Sequence, residues 1–182
     1  MPKMGKKTRG VALAGLFCAI TVVFQYATAP AGQLVTGALV NLTLITCGCI
    51  AGLWPGLAVG AVTPIVASLF GIGPPFMAIL PFMALGNMSI VFTWHVISCS
   101  KGLPLRRVIA AVCGAIVKCA VLYLGIVRFA LPYLTNANPV QTTRFTAMFS
   151  LPQLFTALIG GAVACAVLPL LEKAGQARRG RE

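Results

Sequence analysis

From Gly10 to Leu171 the chain is a succession of apolar runs with only short breaks between them. Six runs stand out, near 10–29, 33–52, 54–71, 75–98, 105–131 and 145–171. At the rise of an α-helix, each is long enough to cross about 30 Å of hydrocarbon. Lipid offers no partner to an open backbone group, so such runs must form helices that satisfy their own amides. Composition agrees, with 59% hydrophobic and 9% charged residues. A soluble domain carries about 25% charged residues and needs them to cover its surface. The fold class expected is therefore an all-α integral membrane protein, a single bundle of six transmembrane helices over residues 1–182. Breaks such as "GLWPG", "GIGPP" and "SKGLPLRR" carry ordinary turn chemistry and are short, so consecutive helices run antiparallel.

The formal charge of +12 does not mark a nucleic-acid footprint, because the basic residues gather at segment ends rather than along a face. Lys3, Lys6, Lys7 and Arg9 precede the first segment. Lys101, Arg106 and Arg107 lie between the fourth and fifth, and Lys173, Arg178, Arg179 and Arg181 follow the last. Six passes put all three groups on one side, and the positive-inside rule makes that side, with both termini, cytoplasmic. "ATA" at Ala27–Ala29 imitates a signal-peptide cleavage site, but Pro30 follows it and five further segments come after, so the first segment is expected to stay. Of the fourteen cations only Lys118, Arg128 and Arg144 are then unexplained. A cation in hydrocarbon costs about 3 kcal/mol or considerably more, so an intramembrane lysine calls for a function.

The missing residues exclude whole classes of chemistry. The only carboxylates are Glu172 and Glu182, so no acid within the apolar segments can relay protons, bind sodium or hold catalytic magnesium. His95 is the single histidine, and Ser89, six residues away, falls on nearly the opposite helix face. No phosphate-binding glycine loop of the ATPase type is present. The seven cysteines are odd in number and lack Cys-x-x-Cys spacing, which reads as helix packing rather than a metal site. The expectation is a protein that is not an enzyme, with no metal and no cofactor.

Small residues recur at fourfold spacing. Gly52, Gly56 and Gly60 with Pro64 line the start of the third segment. Two adjacent ridges mark the first, Gly10, Ala14 and Cys18 beside Gly15 and Ala19. Such ridges let helix backbones approach closely, within the bundle or against another membrane protein.

The segments "TRGVALAGLFCA", "GCIAGLWPGLAVGAVTP", "PFMALGNMSIVF" and "ALIGGAVACAVLPLLEKAG" together resemble a known family over the whole chain. It is that of the substrate-binding S components of energy-coupling factor (ECF) vitamin transporters of prokaryotic cell membranes. The resemblance implies a chain that binds a vitamin-like solute and docks on a transmembrane coupling subunit, while two ATPase subunits supply the energy. By the same resemblance, docking falls to the small residues of the first helix, Gly10, Ala14, Gly15 and Ala19. The spacing is Gly-xxx-Ala where the family has Ala-xxx-Ala.

The resemblance also implies a pocket in the outer half of the bundle, lined by the last three helices and capped by loops. Depth along the segments nominates Gln33, Asn87, Lys118, Tyr123, Arg128, Arg144, Phe149 and Gln153 to line it, with Phe145 nearby. For Arg128 and Arg144 the competing role is snorkelling to lipid headgroups. For Asn87 it is a hydrogen bond between helices. Unpaired cations in a water-filled pocket fit an anionic ligand carrying a carboxylate or phosphate, with the aromatic side chains over its apolar part. The alternative function is a non-transporting membrane scaffold or assembly factor that binds a partner through its small-residue ridges.

Overall fold

Every regular element is helical among the residues described in the computed structural model, which are 5–99, 104–134 and 136–179. Lys3, Lys101, Thr135, Arg181 and Glu182 lie outside them, as do the side chains of Lys6, Lys7, Cys99, Arg178 and Arg179. The helices are α1 (Lys6–Thr28), α2 (Gln33–Ile50), α3 (Leu53–Leu69), α4 (Leu80–Trp94), α5 (Pro104–Leu122), α6 (Leu131–Leu134), α7 (Pro139–Met148) and α8 (Leu151–Arg179). A π-helical segment, His95–Cys99, extends α4, and a second, Tyr123–Ala130, joins α5 to α6. Among the described residues the bundle has six helical passes along its length.

Five of the passes are long and apolar enough to cross a membrane: Thr8–Ala31, Gln33–Ile50, Met77–Ser98, Pro104–Tyr133 and Pro139–Gly175. The third expected span is shorter than its sequence suggested. It is the 17-residue α3, which covers about 25 Å. Its apolar run stops being helical because the chain turns at Gly71 and Gly73, and the loop they form becomes part of a cavity rim. The last pass also departs from expectation by starting at Pro139 rather than near 145. Asn138 accepts from the Gln141 backbone N–H at 2.8 Å, while the Gln141 side chain accepts from the Asn138 N–H at 3.0 Å. With Pro139 at the first helical position, this capping box starts a helix inside a run that reads as loop. Arg144 therefore sits within α7 instead of opening a helix.

In the second π-helical segment the buried row of the fifth pass runs Lys118, Leu122, Ile126, Ala130. Fourfold spacing drifts around an ordinary α-helix with its 3.6 residues per turn. The wider i→i+5 winding takes more residues per turn and turns Ile126 and Ala130 back towards the interior.

Two apolar clusters divide the length of the bundle. One joins Leu44, Ile45, Val59, Ile90, Val91, Trp94, Ala111 and Leu168. The other gathers Ile79, Leu122, Ile126, Leu131, Phe145 and Phe149 at the opposite end. At the first end Arg107 of α5 donates to Glu172 of α8 at 2.7 Å. Close backbone approach fixes α2 against α8, since a Cβ at Gly160 would come within 2.6 Å of the Ala38 carbonyl oxygen. Helix α1 packs only from the side, against α2 and α3, and Thr21 is its one buried residue among those described.

Candidate ligand cavity

Lys118 sits at the junction of α2, α4 and α5 with 4% of its surface exposed. Its ammonium donates to Asn41 Oδ1 at 2.6 Å and to Asn87 Oδ1 at 2.8 Å. Both amides are held with their oxygens towards the lysine, because their nitrogens are committed elsewhere. Asn41 Nδ2 donates to Thr156 Oγ1 at 3.4 Å, and the Thr156 hydroxyl in turn donates to the Gln153 carbonyl at 3.0 Å. Asn87 Nδ2 donates to the Gly60 carbonyl at 3.3 Å.

The last bond has a cause in the sequence. Within α3, the Gly60 carbonyl would ordinarily accept from residue 64, which is Pro64 and has no N–H. An unmet carbonyl in this environment is costly, and the Asn87 side chain meets it. Proline on one helix thus orients the amide that holds the lysine of another.

Above this cluster opens a cavity of about 510 Å³, within the size range of small-molecule sites. Lys118, Asn41 and Asn87 line it, with Gln25 and Gln33 from the first two passes and Arg144, Phe149 and Gln153 from the last. Its rim includes Gly32 and the loop residues Ile72, Gly73 and Pro74. Gly32 holds a φ of 87°, a left-handed conformation that glycine adopts without steric cost. It lets the chain turn between α1 and α2 directly at the rim.

Of the eight residues nominated from the sequence, the cavity lining includes Gln33, Asn87, Lys118, Arg144, Phe149 and Gln153. Tyr123 and Arg128 are not in the lining, and both are exposed on the outside of the π-helical segment. Phe145 packs edge-on against Phe76, ring centroids 5.6 Å apart, in the second apolar cluster. Asn41 escaped the sequence reading although it carried a signal: like Asn87 it is a carboxamide in the middle of an apolar segment, at the depth of Lys118. Its neighbours Thr43 and Thr46 spend their hydroxyls on carbonyls of their own helix, at 2.6 and 2.7 Å, which is how a hydroxyl is usually satisfied in lipid. Asn41 instead reaches across to other helices.

Ser89 donates to the Gly86 carbonyl at 2.8 Å and makes no pair with His95. Among the described residues no group of three or more His, Cys, Asp or Glu could hold a metal ion.

The family model of the ECF transporter substrate-specific component matches residues 9–172. The chain belongs to that family. It is a multi-pass membrane protein and the substrate-binding subunit of an ECF transporter. No curated protein and no solved structure matches it. In this S component the two small-residue ridges of α1 face different ways. Gly10 and Ala14 turn inward: a Cβ on Gly10 would touch Pro55 at 3.4 Å, and Ala14 packs on the core. Gly15 and Ala19 face outward, and a Cβ on Gly15 would meet nothing within 4 Å. The ridge of α3 is internal, with Gly56 and Gly60 both buried.

Proposed function

We propose that this S component captures a vitamin-like anionic solute from outside a prokaryotic cell and delivers it inward, driven by ATP hydrolysis on partner chains. The single observation carrying the reading is the cavity with a buried lysine and no carboxylate in its lining. Lys118 is held by two neutral amides, so its charge is stabilised without being cancelled. An ammonium in that state attracts an anion more strongly than one paired with an acid, because nothing need be displaced electrostatically. Arg144 adds a second cation to the lining.

The partners are a transmembrane coupling subunit and two ATPase subunits, in keeping with the family. The outward ridge of Gly15 and Ala19 offers the close backbone approach such docking requires. Gly10 and Ala14 support the same surface from within by seating α1 on α3. Both termini face the cytoplasm, and the cavity opens to the outside. The chain itself catalyses nothing.

The test is binding without partners, followed by uptake with them. The purified protein in detergent should bind a small anion saturably. Cells should accumulate that anion only when the coupling module is co-expressed and its ATPases are intact. A purified chain that binds no metabolite saturably, yet holds a membrane partner, would favour a scaffold instead.

A further inference from the structure

The lining of the cavity restricts the chemistry of the solute further than charge alone. Three features bear on it: the number of free donors at the buried cation, the aromatic content and the carboxamide content.

A lysine ammonium has three N–H groups. Two are spent on Asn41 and Asn87, so Lys118 offers one to a ligand. That suits a carboxylate oxygen. A phosphate carries three strong acceptor oxygens and more charge, and sites that bind it supply several converging donors, such as a helix N-terminus or a guanidinium fork. The floor of this cavity, at Lys118, has neither; the Arg144 guanidinium and the start of α2 line it only towards the mouth.

Phe149 is the one aromatic residue in the lining. Tyr123 is exposed away from the cavity, and Phe145 packs in the second apolar cluster outside the lining. A planar heteroaromatic solute gains most from aromatic side chains stacked over its faces, and this site offers only one. The apolar surface comes instead from aliphatic groups and from Met83 and Met148, which conform to irregular shapes.

Five carboxamides line the same space: Gln25, Gln33, Asn41, Asn87 and Gln153. Asn41 and Asn87 are spent on Lys118, Thr156 and Gly60, and Gln153 Nε2 donates to the Met148 carbonyl at 3.2 Å. Gln25, Gln33 and the Gln153 oxygen remain to pair with hydroxyl and amide groups along a ligand, and a purely hydrocarbon acid leaves them unmet.

We propose, on the binding-subunit reading above, that the cavity takes an aliphatic monocarboxylate bearing hydroxyl or amide groups along its chain. It discriminates against planar heteroaromatic solutes and against a phosphate in place of the carboxylate at Lys118. The carboxylate lies at Lys118, and the polar chain runs from there along the carboxamides towards Arg144 and Gln33 at the mouth.

Mass spectrometry of the small molecule extracted from the purified full-length protein, combined with calorimetric titration, tests the proposal. The titration probes are pantothenate, nicotinate and riboflavin. An aliphatic hydroxy or amido acid in the extract supports the class, as does pantothenate binding at least about tenfold tighter than the other two probes. A ring compound, or a phosphate ester without a carboxylate, in the extract, or a planar probe binding as tightly as pantothenate, overturns the class while leaving the binding-subunit reading intact. An empty extract together with no saturable binding of any probe removes the binding-subunit reading itself. In Phe149→Leu the affinity for the aliphatic ligand should fall by less than about tenfold, the most that a lost aromatic contact is worth beyond its area. A larger fall would mean that a stacked ring is the recognised group.

Discussion

Lys118 spends two of its three N–H groups on neighbouring amides, and that division of labour separates its structural role from its binding role. In Lys118→Met the buried charge disappears while much of the side-chain volume remains, so the bundle should stay folded. Asn41 and Asn87 would lose a partner, but both residues line the cavity, from which water can reach them. Affinity for the anionic ligand should drop, since a hydrogen bond to a charged group is worth roughly 1.5–3 kcal/mol, or about ten- to over a hundredfold in Kd. Calorimetry with the co-purified ligand and a thermal-unfolding midpoint measure the two effects separately. Unchanged affinity would make the lysine structural. A subtler test acts through Pro64. Pro64→Ala restores a backbone N–H to α3 and gives the Gly60 carbonyl an intrahelical partner, in competition with Asn87. The variant should be as stable as wild type or more so, yet bind ligand several-fold more weakly, because the Asn87 amide is no longer fixed with its oxygen on Lys118. If stability and affinity moved together, Pro64 would be acting on the fold alone.

At the scale of the helix, α1 is two-sided although it is apolar nearly all round. Its inward side is set by Ala14, Phe17 and Cys18 on the core. Its outward side exposes Val11, Leu16 and Val23 beside Gly15 and Ala19. Gly15→Leu enters open space, so thermal stability and ligand binding in detergent should match wild type. Uptake with the coupling module should fall, because the outward backbone can no longer be approached closely. Gly160→Leu is the internal control, since its side chain would be driven into the backbone of α2. Overpacking of this kind costs about 1–3 kcal/mol or more, and both stability and binding should suffer. A loss of folding in Gly15→Leu would show that α1 packs the other way round.

For the whole molecule, the antiparallel passes and the Arg107–Glu172 pair put the start of α5 and the end of α8 at one end of the bundle. The cavity opens at the other. The cation count predicts which side of the membrane each end faces. A reporter fused after Glu182 or within Lys101–Arg107 should read cytoplasmic, and one placed between residues 135 and 143 should read external. A cytoplasmic signal from that last position would break the six-pass topology and, with it, the outward-facing cavity.

Much of this architecture was legible in the chain itself. Hydrocarbon permits few backbone solutions, so apolar runs of this length must be helices, and short breaks must make them antiparallel. The cost of intramembrane charge made Lys118 conspicuous, and depth alone brought Gln33, Asn87, Arg144, Phe149 and Gln153 to its level. Rotation about each helix axis was not legible. Apolar residues surround these helices on all sides, since lipid and protein interior are equally apolar, and hydropathy gives little sense of which face turns inward. Only packing decided that Tyr123 and Arg128 leave the cavity, that Gly15 faces out while Gly10 faces in, and that the capping box at Asn138 starts the last pass early. The partnership of Asn41 with Lys118 and the path from Pro64 through Gly60 to Asn87 depend on side chains that meet across four different helices. Sequence spacing specifies neighbours along one helix; contacts between helices exist only once the bundle has closed.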